Sequence, residues 1–99
     1  MPEGAIYAVL KQVRTITASV TTSSSLILDA DPDVKGTIIY NDSDDSVYLT
    51  YGPTAAVANA TKVIGPHAAW DIPGPAVWCG EISAIRESGS GVLVITSMI

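Results

Sequence analysis

Apolar and polar residues alternate with a period of two through most of this chain, and no long stretch carries the 3.6-residue period of an amphipathic helix. From Ala5 to Val20 the alternation sets Val13, Thr15, Thr17 and Ser19 on one parity and Arg14, Ile16, Ala18 and Val20 on the other. This predicts a strand. The polar run from Thr21 to Ser25 reads as a loop, Leu26-Ile-Leu as a short buried strand, and Asp29-Ala-Asp-Pro-Asp as its stop. Gly36 to Asn41 and Val47 to Tyr51 are two tyrosine-bearing strands joined across an Asp/Ser cluster, and together they read as a β-hairpin. Val47, Leu49 and Tyr51 share the parity expected to face a core, with Tyr48 and Thr50 on the wetter face.

Gly52-Pro53 marks the next turn. The alanine-rich stretch from Thr54 to Ala60 is compatible with one helical turn, but a loop leading into a strand at Thr61 to Ile64 is the favoured reading. Ala68 to Ile72 forms another short strand, and Pro73-Gly-Pro forces a corner that no central strand could host. The last two runs, Cys79 to Arg86 and Val92 to Met98, flank the glycine-rich Glu87-Ser-Gly-Ser-Gly and read as a second hairpin. Val92-Leu-Val-Ile is apolar on both parities, so this strand should be central or covered by a neighbouring subunit. About eight short antiparallel strands at this spacing predict an all-β chain, a small β-sandwich or barrel, jelly-roll-like or Ig-like. The expected organisation is an N-terminal strand or arm over residues 1–20 and a sandwich core over 21–99, one domain overall.

Composition supports that reading. Ninety-nine residues suit one domain, which at this length buries roughly 65% of the unfolded chain's surface. Hydrophobic residues make up 47% and charged residues 15%, a low charge for a small monomer that must wet its outside, so a partner is expected to cover part of the surface. Ten acidic residues against five scattered basic ones give a net charge of -5, which disfavours direct nucleic-acid binding. Cys79 stands alone and excludes an internal disulfide or a cysteine-rich zinc site. The start of the chain has neither a basic n-region nor a long apolar h-region, and no apolar run is long enough to cross a membrane as a helix. The expectation is a protein made in a reducing compartment, with no membrane partner.

Candidate chemistry is sparse. Asp29, Asp31 and Asp33 have the spacing of the first calcium-loop ligands, but Val34 stands where the loop needs glycine and Tyr40 where it needs glutamate. Asp42, Asp44 and Asp45 suit a turn that bonds its own backbone. His67 has only Asp71 as a nearby polar neighbour in sequence, and Cys79 between Trp78 and Gly80 reads as an inert thiol. Trp70 and Trp78, with Tyr40, Tyr48 and Tyr51, could stack on sugars, but core packing or an interface with a protein is the simpler role. No catalytic residue, cofactor or metal ligand is expected.

The succession Lys35-Gly-Thr-Ile-Ile-Tyr-Asn-Asp-Ser, Val47-Tyr-Leu-Thr-Tyr-Gly-Pro, Thr61-Lys-Val-Ile-Gly-Pro, Trp70-Asp-Ile-Pro, Gly80-Glu-Ile-Ser-Ala-Ile and Val92-Leu-Val-Ile-Thr resembles small structural proteins of tailed bacteriophages, of the capsid decoration or cement type. The likeness runs over about residues 19 to 97 and lies in the order of short motifs. Two departures are Ser97-Met-Ile, where an acidic residue usually follows the threonine, and the additional stretch from Met1 to Val20. The resemblance implies a non-enzymatic β-sandwich on the capsid exterior, a homotrimer that binds the major capsid protein after synthesis in the bacterial cytoplasm. The expected interface residues are Ile6, Tyr7 and Val9 in the arm and Trp70 and Trp78 at the corner. A tail, neck or baseplate protein of the virion and a carbohydrate-binding surface module are the alternatives.

Overall fold

The structure, a computed structural model, describes residues 13–72 and 78–99. Eight strands occur among them: β1 (Val13–Val20), β2 (Ser25–Leu28), β3 (Gly36–Asp42), β4 (Val47–Tyr51), β5 (Lys62–Ile64), β6 (Ala69–Ile72), β7 (Ile82–Ile85) and β8 (Gly91–Met98). They form two four-stranded sheets, β1-β8-β3-β6 and β2-β7-β4-β5, antiparallel throughout. The strand pairs β1/β8, β2/β7, β3/β6 and β4/β5 are nested one inside the next, so the chain is a long two-stranded ribbon folded over on itself. That order is the jelly roll, the first of the two sandwich types anticipated.

The topology corrects both expected hairpins. β3 and β4 lie in different sheets, as do β7 and β8. Each short polar loop carries the chain from one layer to the other, and β4–β5 is the one connection between sequence neighbours that pair in the same sheet. Their patterns are right for strands, but alternation specifies which face is buried and not which strand lies alongside. The stretch between β4 and β5 is a loop with a single 3₁₀ turn at Val57–Asn59. β8 is central, flanked by β1 and β3, which accounts for its apolar run.

The core lies between the layers. Ile39, Leu93 and Ile95 from the first sheet meet Val47, Leu49, Ile82 and Ala84 from the second, all fully buried, with Val20, Ile64 and Ile72 closing the sides. Ala18, Tyr51 and Trp70 pack against this cluster. The first sheet is the longer, because β1 and β8 each run for eight residues and no strand of the second exceeds five. Its overhang is partly covered by the segment 29–35, where Val34 is buried and Lys35 N donates to Met98 O.

The opposite end is closed by polar side chains. Asn41 is completely buried, and its Nδ2 donates to the carbonyls of Asp45 at 2.7 Å, Gly65 at 3.0 Å and Ile64 at 3.1 Å, while its Oδ1 accepts from Ser43 Oγ at 2.6 Å. Arg86, 7% exposed, donates from Nη1 to Ser43 Oγ and from Nε to Ser88 O and lies 3.7 Å from the Asp45 carboxylate. A buried guanidinium is tolerable only with such partners. Gly91 gives it room: a Cβ there would collide with Arg86 Nη1 and Ser43.

Two stability changes follow. Asn41→Ala removes a donor from three carbonyls and the acceptor of Ser43 Oγ, and should cost about 2–4 kcal/mol. Gly91→Ala must displace the buried guanidinium and should cost about 1–3 kcal/mol. Urea denaturation followed by tryptophan fluorescence reads both. Wild-type stability in either variant means that this end of the sandwich is held by something else.

Candidate functional site

Residues of the first sheet alternate between the core and an outer face. Leu93, Ile95 and Ser97 of β8 point inward and are buried, so Val92, Val94, Thr96 and Met98 point outward. The register aligns them with neighbours in rows: Thr17, Val94, Tyr40 and Ala69; then Thr15, Thr96, Ile38 and Asp71; then Val13, Met98 and Gly36. Thr15 Oγ1 and Thr96 Oγ1 are 3.2 Å apart, so the row is continuous from β1 to β8. Val13 is 60% exposed and Val92 38%, with Ile38, Tyr40, Val94 and Met98 half-buried. The charges on the rows of this face are Asp42 and Asp71, both toward the β3/β6 margin. The result is a broad apolar and hydroxyl-bearing surface, the chemistry of a protein interface rather than of a catalytic cleft.

Trp70 and Trp78 are brought together at the same β6 margin, on the core side of the sheet. Both stack on Tyr51, Trp70 with ring centroids 5.7 Å apart and Trp78 with 4.8 Å, nearly parallel in the second case. Trp70 sits on β6 opposite Ile39 and packs against the core. Trp78 is 36% exposed, lies against Gly80 and donates Nε1–H to Glu81 O at 2.9 Å. The rings use their faces on one another, so this corner is a packed edge of the sandwich with one partly open indole, unlike an open sugar platform. Tyr40 and Tyr48 are not part of it. Ile6, Tyr7 and Val9, the other expected interface residues, and the Pro73-Gly-Pro corner lie outside the described residues.

The remaining candidates have local partners. His67 Nε2 is 3.0 Å from Asp44 Oδ1 and its Nδ1 is 3.5 Å from Tyr40 OH, so its neighbours come from the β3–β4 side and not from Asp71. It is a half-exposed loop residue with φ of 53°, in the left-handed region. Asp31 accepts from Asp33 N and pairs with Arg14 at 3.5 Å, which makes the first acidic run a turn tied to β1. Asp45 likewise caps Ser46 N in the second. Cys79 Sγ donates to Val34 O. No group of three or more His, Cys, Asp or Glu side chains suited to a metal ion occurs among the described residues, and no helix there is long and apolar enough to cross a membrane.

Sequence reasoning missed Asn41 and Arg86. The sequence pattern places Asn41 at the end of a strand beside the Asp/Ser cluster and Arg86 among the scattered basic residues, without a buried role for either. The available signal was Arg86 closing the apolar run Ile82-Ser-Ala-Ile, where a single charge must find a buried partner. Comparison with family models, curated proteins and solved structures finds no match for this chain.

Tyr48 OH donates to Glu87 Oε1 at 2.6 Å, and that hydrogen bond, followed by desolvation and the charges of Glu87 and Asp45, raises its pKa above the ordinary 10.0. Because the folded-state value is the higher, the stabilisation is present below pH 10.0 and is lost as pH rises through the raised folded value. Tyr48→Phe should remove a phenol transition from the region above pH 10.0 in an absorbance titration and flatten the alkaline decline in stability. An unchanged titration curve would show that the phenol does not meet the carboxylate.

Proposed function

We propose that this protein is a non-enzymatic structural component of a bacteriophage particle that decorates or cements the capsid by binding the major capsid protein. The observation that carries the reading is the outer face of the β1-β8-β3-β6 sheet. Its rows of valine, isoleucine, methionine and threonine are in register, backed by the core and nearly free of charge, so they can be buried against another protein with little desolvation cost. Such burial stabilises by about 25 cal/mol per Å² of apolar surface removed from water. The motif order that resembles phage capsid proteins supports the same partner, and the net charge of -5 disfavours attachment through packaged nucleic acid.

In this mechanism the sandwich is a preformed clamp. Each copy lays its sheet across a junction between capsid subunits, and the contacts resist separation when internal pressure pushes the subunits apart. Binding a rigid sheet costs little ordering entropy, so modest contacts suffice at each of many sites.

The test is co-sedimentation of the recombinant protein with capsids that lack it. Stoichiometric binding is expected. Val94→Asp, which places a charge in the middle of the outer face, should weaken binding at least about tenfold without unfolding the sandwich. Trp78→Ala reports separately on the aromatic corner, with circular dichroism to show that it folds. Binding by wild type that is insensitive to Val94→Asp removes the sheet face from the proposal. Failure of the wild-type protein to join capsids removes the capsid reading itself and moves the bet to tail or neck.

A further inference from the structure

Each sheet of a sandwich ends in two edge strands, and exposed edges invite pairing with other chains unless they are short, bulged or charged. Three of the four edges here are guarded. β5 has three residues and begins with Lys62, β6 has four with the exposed Asp71, and β2 has four with a register shift between Leu26 and Leu28. Among the described residues β1 is the least guarded, because its one charge, Arg14, is held by Asp31 at 3.5 Å. Its eight residues pair with β8 in unbroken register from Val13 to Val20, with no proline, bulge or lysine, and most of them are exposed. A regular strand of this length directs alternate backbone N–H and C=O groups toward its free side.

We infer that the β1 edge is a dimerisation site, at which β1 of a second copy adds antiparallel to β1 and fuses the two outer sheets into one eight-stranded sheet about a two-fold axis. The sequence is symmetric where this pairing needs it. With Ile16 on the axis, Thr15 faces Thr17 of the partner copy, Arg14 faces Ala18 and Val13 faces Ser19. Facing residues then keep the same parity, so the threonine row already formed by Thr15 and Thr96 continues across the interface. Ile16, 39% exposed and pointing toward the cleft between β1 and β2, would meet its own counterpart. A register centred on Arg14 would instead oppose two guanidinium groups.

Charge selects a second copy as the occupant. Residues 13–28, which hold β1 and β2, carry one charged residue, Arg14, and Asp31 pairs with it at 3.5 Å, so each of two molecules of net charge -5 brings a locally neutral seam to this pairing. A single added strand buries on the order of several hundred Å², below the roughly 1,200–2,000 Å² of a standard stable interface, so the dimer should be reversible and concentration-dependent. The pairing is two-fold, in place of the three-fold assembly that the resemblance implies. It rests on the strand edge and is independent of whether capsids are bound.

Sedimentation of the full chain over a concentration series tests the inference in the absence of any capsid. The expected result is reversible conversion from 10.3 kDa to twice that mass. Ile16→Lys, which places two ammonium groups at the axis, should raise the dissociation constant more than about tenfold while leaving the thermal midpoint of the monomer within a few degrees. In a Cys79→Ser background, Ile16→Cys should give a disulfide-linked dimer on mild oxidation, and Thr15→Cys should cross-link efficiently only when mixed with Thr17→Cys. A monomer at every concentration, a mass three times that of the chain, open-ended growth, or cross-linking without regard to register would each overturn the proposal.

Discussion

One buried amide holds one end of this sandwich in place. Asn41 stands on an inner strand of the first sheet, yet its donors reach the β3–β4 loop and the exit of β5, so a single side chain ties both layers to the loops that join them. No apolar residue could do this, because the carbonyls of Asp45, Ile64 and Gly65 lie at strand ends and in loops and converge on one donor group. Ser43 extends the arrangement to Arg86, which brings the β7–β8 loop into the same polar cluster. The two crossings between sheets are therefore fixed by one hydrogen-bonded group.

The nested ribbon explains why such a device is needed. β1 pairs with β8 and β2 with β7, so the first contacts to close in sequence are at β4–β5 and the last join the two ends of the chain. Closure of long loops costs entropy before the pairing gives anything back, and sheets of this kind depend on the completed core to hold their register. A polar cluster at the sharp crossings limits the ways in which the layers can slide. At the far end the longer first sheet outruns the second, and its overhang is covered by a loop through Val34, Asp31 and Cys79.

Strands and their faces are legible in the sequence because each depends on local alternation and on turn residues, whereas the choice between a sandwich and a barrel depends on pairing. Pairing is not legible there. The runs around Tyr40 and Tyr48 look like a hairpin, since four polar residues between two β patterns suit either a turn within a sheet or an arch between sheets. The difference lies in where Asn41 sends its amide, a contact to residues more than twenty positions away. The glycine-rich link before Val92 misleads in the same way, because Gly91 makes room for Arg86 and does not serve a tight hairpin. Trp70 and Trp78 are expected at one corner from the sequence, but that Tyr51 alone of the tyrosines stacks on both becomes visible only when the sheets are stacked.

The same asymmetry between the layers decides what the molecule can offer to others. The second sheet is short, and its outer face is crossed by the loop after Gly52, which accepts from Ser83 Oγ and bonds through Ala55 N to Ser24. Part of that face is thus spent on the fold itself. The first sheet carries the longest strands, keeps its outer rows in register from β1 to β6, and has acids only at one margin. An apolar outer face on a small acidic protein is hard to explain as a demand of folding, since the core on the other side already supplies the burial that this chain length needs. Its cost is an increased tendency to associate, and the guarded edges at β2, β5 and β6 limit that tendency everywhere except along the face and the β1 strand that borders it.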